Sequence, residues 1–270
     1  NHEDDTSKAV ALFERSGENV TGTFMTPTGD YRFLEGRAEG NQLQLSTFDG
    51  NHLYLFRGSM QADGSIAGEF YSGKSWHEQW MAIKDDKASL PDPESLTYLR
   101  DGYDRITFTF PDVNGNKVSL DDERFDNKVV ILQLVGTWCP NCMDETRFLA
   151  PWYDENKERG VEIIGLAYER KDDFNYARER VKKMMEKMDV HYEMLIAGTN
   201  DKDKPAGTLP MLNAVVAFPT TIFIGKDGQV KKIHTGFNGP GTGKYYEQFE
   251  EQFNQTVNAL LKEDFAASKR

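Results

Sequence analysis

Cysteine is almost absent from this 270-residue chain: there are two, Cys139 and Cys142. A disulfide between residues so close restrains little unfolded-chain entropy, which excludes a structural staple as their purpose. A tetrahedral zinc site needs four ligands, and His2, His52, His77, His191 and His234 are scattered with no closely spaced pair to complete one. No apolar run reaches the ~18–20 residues that a bilayer-spanning helix needs. Positive charge is in deficit, 32 Lys and Arg against 44 Asp and Glu, a net charge of -12. A surface of that sign repels nucleic acid and anionic membranes, so neither is expected as a partner. The opening Asn-His-Glu-Asp-Asp has no basic region followed by an apolar one, so no signal segment is legible in it. Redox chemistry is what remains for the cysteine pair.

Apolar and aromatic residues, 38% and 12% of the chain, suffice for real cores, and the length suggests two domains. Residues 8–84 alternate in short runs: Lys8–Arg15, Val20–Thr26, Asp30–Ala38, Gln42–Phe48, His52–Met60, Ser65–Tyr71 and Trp76–Lys84. Between them stand Ser-Gly-Glu-Asn, Pro-Thr-Gly-Asp, Glu-Gly-Asn, Asp-Gly-Asn, Ala-Asp-Gly-Ser and Ser-Gly-Lys-Ser. Gly and Asn tolerate the positive φ of tight hairpins, so the pattern predicts an antiparallel β meander over 1–86, barrel- or sandwich-like. Its aromatics, Phe24, Tyr31, Phe33, Tyr54, Phe56, Phe70, Tyr71, Trp76 and Trp80, are read as core, with a partner- or ligand-binding pocket as the alternative. The proline- and charge-rich stretch Asp85–Glu94 opens a linker over 87–104, in which a short helix is expected around Pro93–Asp101.

From 105 to 270 strands alternate with helical patterns, which predicts an α/β unit. The continuous run Val129–Val135 is a buried central strand, followed by a helix from about Cys139 that Pro151 kinks and that continues through Trp152–Lys157 until Gly160 ends it. Val161–Ala167, Tyr192–Ile196, Thr220–Gly225 and Val230–His234 are further strands, and Tyr176–Lys187 and Tyr245–Lys262 are helices. The loop Gly236–Gly243 lacks the Lys-Ser/Thr ending of a phosphate-binding loop and is expected to lie near the redox face. Gly198–Leu209 is expected to edge the substrate groove.

Cys139 therefore opens a helix directly after a buried strand. Unpaired N–H groups and the positive end of the helix dipole favour a thiolate there, and the thiolate is the attacking species in disulfide exchange. Pro140 suits the first turn, where its missing N–H costs no helical bond. Cys142, deeper in the helix and on the same side, is the resolving thiol, and Trp138 covers one flank so that the Cys139 sulfur alone is reachable.

Lys128–Cys142, ending in Gly136-Thr-Trp-Cys-Pro-Asn-Cys, resembles the active-site segment of the thioredoxin superfamily, and most of all its TlpA/ResA-like thiol-disulfide oxidoreductases. Phe110–Leu120 resembles the N-terminal hairpin of that group, and Ala217-Phe-Pro-Thr-Thr-Ile-Phe-Ile-Gly-Lys-Asp-Gly228 its downstream proline strand. The likeness covers 106–265. It implies a thioredoxin-like fold, a central mixed sheet flanked by helices, behind the all-β meander. Pro219 would then be the superfamily's cis-proline, with Phe218 before it binding substrate backbone. Glu145, three positions after Cys142, would manage protons. Gln133 departs from thioredoxins, which place a titratable aspartate there, and Pro-Asn between the cysteines departs from their Gly-Pro. The resemblance also implies protein disulfides as substrates, a membrane electron donor of the DsbD type, and a periplasmic or envelope-anchored location. No cofactor or metal is expected. A thiol peroxidase is the competing enzyme, although Thr137 stands two rather than three positions before Cys139.

Overall fold

The computed structural model describes residues 7–50, 52–201 and 205–263, and Lys202–Lys204 of the expected groove edge lie outside the described residues. The chain divides into two units, Asn1–Leu90 with Asn238–Glu247, and Pro91–Phe237 with Gln248–Arg270.

In the first unit the alternating runs form β1 (Val10–Ser16), β2 (Asn19–Thr26), β3 (Gly29–Asp30), β4 (Leu34–Glu39), β5 (Gln42–Phe48), β6 (Leu53–Met60), β7 (Ile66–Ser72) and β8 (Trp76–Ala82). They make one eight-stranded sheet in the order β1-β2-β4-β5-β6-β7-β8, with β3 beside β2. All these pairings are antiparallel. Among the described residues the two ends of that path, β1 and β8, do not pair, so the meander stays open. The expected single strand Asp30–Ala38 is broken in two. Arg32 takes a φ of 63°, a left-handed conformation foreign to strands, and Asp30 Oδ1 accepts its N–H at 2.5 Å. One face buries Val20, Phe24, Leu34, Leu45, Phe56 and Phe70, with Tyr31, Tyr54 and Trp80 packed against them. Phe56 stacks on Phe70 at 4.4 Å between centroids, and Phe24 lies 4.6 Å from Phe56. Most of the aromatic set is thus core, whereas Phe33 and Trp76 are exposed. The glycine loop expected near the redox face begins there, with Gly236 N–H donating to Pro219 O at 2.8 Å, and from Asn238 onward it belongs to this unit, where Gly239 N–H donates to the buried Asp30 carboxylate at 2.6 Å.

The second unit begins at Pro91. The helix expected around Pro93–Asp101 does not form, because its backbone groups are taken by distant partners. Tyr98 N–H donates to Asn213 Oδ1 at 2.8 Å, Arg100 N–H to Met211 O at 2.8 Å, and Leu99 bridges Leu212. A hairpin, β9 (Thr109–Pro111) with β10 (Lys117–Ser119), precedes β11 (Val129–Val135), α1 (Pro140–Asn156), β12 (Val161–Glu169), α2 (Phe174–Met188) and β13 (Glu193–Thr199). Then come the single turn α3 (Pro205–Thr208), β14 (Thr220–Ile224), β15 (Val230–Thr235) and α4 (Lys244–Lys262). The sheet order is β13-β12-β11-β14-β15, so the wholly buried apolar run of β11 is the central strand. It pairs in parallel with β12 and antiparallel with β14, which gives the mixed sheet of the α/β expectation. α1 continues past Pro151 to Asn156. Val181 and Met184 of α2, and Phe249, Phe253, Val257 and Leu260 of α4, are the buried stripes.

Candidate active site

The C-terminal end of β11 delivers the chain into the turn Gly136-Thr137-Trp138, and α1 starts at once. A side chain at Gly136 would have no room: an added Cβ would lie 2.4 Å from Trp138 Nε1 and 3.0 Å from Tyr168 O. Trp138 Nε1–H donates to Tyr168 O at 2.9 Å, which folds the indole back over the turn.

Cys139 is the N-cap of α1, in an extended conformation (φ -97°, ψ 118°), and its sulfur accepts the Cys142 N–H at 3.2 Å. The first turn of α1 carries no acidic residue and has proline at its start. An anionic sulfur there meets an orphan N–H and the positive end of the helix dipole, with no acidic residue in that first turn to offset them. Cys139 and Cys142 are joined as a disulfide. The order of depth follows the expectation, yet Cys139 retains only 4% exposure against 0% for Cys142, so its sulfur is more enclosed than expected. The enclosure has named walls. Cys139 Sγ lies 3.3 Å from Phe218 O, and the Phe218 ring meets Trp138 edge-on at 5.7 Å and Tyr168 at 5.4 Å. The Phe218–Pro219 peptide bond is cis. Trp138, Cys139, Cys142, Phe218 and Pro219 are therefore assembled across a separation of 79 residues between Cys139 and Phe218.

Glu145, one turn beyond Cys142, is completely buried. Its hydrogen bonds go to two cross-strand neighbours rather than to a sulfur. Thr221 Oγ1 donates to Oε1 at 2.6 Å and Gln133 Nε2 to Oε2 at 2.9 Å, and Gln133 on β11 is the register partner of Thr221 on β14. Tyr192 O–H donates to Gln133 Oε1 at 3.1 Å, so the amide's oxygen is occupied and its NH₂ is turned to the carboxylate. Burial pushes the Glu145 carboxyl up to about 7, against the opposing pull of the Thr221 and Gln133 hydrogen bonds. Gln133 cannot titrate, but it holds the group that can.

Sequence reasoning passed over Thr221, Tyr192, Tyr168 and Glu169. Of these Glu169 alone carried a signal, a carboxylate at the end of a buried apolar strand. The Arg170 guanidinium stands 5.7 Å over the Trp138 ring.

A disulfide that caps a helix behind the central strand of such a sheet defines a thioredoxin-fold thiol-disulfide centre. The chain belongs to the Redoxin family, which matches residues 103–249, and within the thioredoxin superfamily to its TlpA/ResA-like oxidoreductases, with an added N-terminal β unit. It is 32% identical over 129 residues to the thiol-disulfide oxidoreductase ResA of Bacillus thuringiensis subsp. konkukian, covering 48% of this chain and 66% of that protein. ResA of Halalkalibacterium halodurans is 30% identical over 159 residues, 58% of this chain and 77% of that protein. The chain thus spans just under two thirds of the first relative's length. A thiol:disulfide interchange protein from Chlorobium tepidum, of known structure, aligns with 60% of this chain and 99% of its own at 20% identity and a TM-score of 0.45.

Proposed function

We propose that the protein is a thiol-disulfide oxidoreductase that reduces protein disulfides in the bacterial cell envelope. The observation that carries the reading is the placement of Cys139 Sγ, capping α1 and facing the Phe218 carbonyl, with Cys142 behind it. In the reduced state the Cys139 thiolate attacks one sulfur of a substrate disulfide, forming a mixed disulfide and releasing the other sulfur as a thiolate. Cys142 then loses its proton, attacks Cys139 Sγ and releases the second substrate thiolate. Two electrons pass to the substrate, and the 139–142 disulfide is left behind. Glu145, near its own midpoint at neutral pH, takes the Cys142 proton directly or through water. Phe218 and Pro219 present backbone to an extended substrate segment, and Trp138 walls the approach. A membrane thiol-disulfide donor of the DsbD type re-reduces the pair. This account makes both the direction and the envelope location testable.

The test is turnover of insulin disulfides by the reduced protein, with Cys139→Ser as control. Wild-type activity that the substitution abolishes supports the reading. Peroxide consumption in place of disulfide reduction would transfer the protein to the thiol peroxidases.

A further inference from the structure

The mechanism above leaves one buried carboxylate of the site unused. Glu169 ends β12, is 0% exposed, and points at the redox turn rather than at solvent. Its Oε1 accepts the Thr137 N–H at 2.8 Å, two residues before the nucleophile. Its Oε2 is buried with no hydrogen-bond partner among the described residues, and the same is true of Thr137 Oγ1. The pairing of β12 with β13 shifts register between Ala167 and Tyr168, an irregularity of the kind that re-aims side chains beside functional sites. The two residues after that shift grip the turn together, Tyr168 through the indole of Trp138 and Glu169 through the backbone of Thr137. A structural clamp for one N–H could be a neutral side chain. An anion with an unpaired oxygen in a buried site is an expensive choice unless its charge has a use.

We propose that Glu169 is a positioning residue for Cys139, fixing the Gly136–Trp138 turn through the Thr137 N–H while holding a buried negative charge behind the turn that restrains thiolate formation. The inference rests on the proposed thiol-disulfide chemistry and adds to it. The helix terminus stabilises the Cys139 anion, and Glu169 works in the opposite direction, keeping the resting pair strongly reducing. The groups that favour its anion are Thr137 at the turn, then Arg180 on α2 and Arg170 beside it. Burial pushes its carboxyl up from the ordinary value, and these neighbours only partly reverse that.

Glu169→Gln separates the two roles, because the amide oxygen can still accept the Thr137 N–H but carries no charge. In the reduced full-length variant at pH 7, iodoacetamide should alkylate Cys139 about threefold faster than in wild type, half a pKa unit's effect. The midpoint potential should move to a less negative value, since a stabilised thiolate favours the dithiol. A clamp without an electrostatic role would be disturbed by Glu169→Ala and spared by Glu169→Gln. Unchanged alkylation and potential in the Gln variant therefore overturn the proposal. Should that variant not fold, wild-type NMR decides: in the reduced protein the Cys139 Cβ shift must move with the titration of the Glu169 carboxyl carbon, and a Cys139 response blind to that step refutes the proposal. Alkylation needs no substrate, so a wild type inert toward insulin with a Gln-sensitive Cys139 would sink only the function proposed above. Insulin reduction with a Gln-insensitive Cys139 would sink only this inference.

Discussion

At the scale of single residues, the account turns on where protons sit under the cysteine pair. Glu145 has a folded-state midpoint of about 7 against an ordinary 4.5, so the native protein binds that proton more tightly than the unfolded chain does. Below about pH 4.5 both states hold the proton and the group costs nothing. As pH rises through the window to 7 the unfolded carboxyl ionises first, and native stability falls. At 1.36 kcal/mol per unit the loss approaches about 3 kcal/mol by pH 8. Urea unfolding of the oxidised protein should show this decline between pH 5 and 8, and Glu145→Gln should flatten it. The same substitution should slow resolution of a Cys139 mixed disulfide by at least roughly tenfold, seen as its accumulation in single-turnover quenching. Equal resolution rates would remove Glu145 from the chemistry. Cys139, Cys142, Trp138 and Glu145 could be named from sequence because short spacing on one turn and one helix relates them. The partners of Glu145 could not, for Thr221 lies 76 residues away and Tyr192 lies 59 residues from Gln133. Only sheet register brings them together.

At the scale of elements, the site is held by the turn between β11 and α1 and by the packing that anchors α1. Gly136→Ala places a methyl group against the Trp138 indole and Tyr168 O. A destabilisation of about 1–3 kcal/mol is expected, with loss of the near-ultraviolet signal of an ordered Trp138. Phe253 of α4 meets Trp152 at 5.0 Å, Phe148 at 5.1 Å and Phe223 at 5.3 Å, so it ties α1 and β14 to α4. Phe253→Ala should cost about 3–5 kcal/mol in chemical unfolding, and a cost under 1 kcal/mol would mean that the cluster does not anchor α1. The long elements were legible because hydrophobic period decides them: β11 is apolar throughout, and α4 repeats at helical spacing. Two misreadings have tertiary causes. The Pro93–Asp101 helix yields to hydrogen bonds with residues 211–213, and the strand from Asp30 to Ala38 breaks at a left-handed Arg32 that no periodicity encodes.

At the scale of the whole molecule, among the described residues one core lies under the meander around Phe56 and another around β11. The composition changes at Asp85–Glu94 and the units divide between Leu90 and Pro91, while nothing in the sequence order marks Asn238–Glu247 as part of the first unit. Because the disulfide lies in the second unit, hydrogen exchange of oxidised and reduced forms should differ in 91–237 and agree across β1 to β8. A difference spread through the meander would contradict that separation. The central claim, that the 139–142 pair is a reductant, is tested most directly by its midpoint potential in a glutathione or dithiothreitol redox buffer. The account predicts a two-electron transition near thioredoxin's ~-270 mV; a value near the ~-120 mV of DsbA would contradict it.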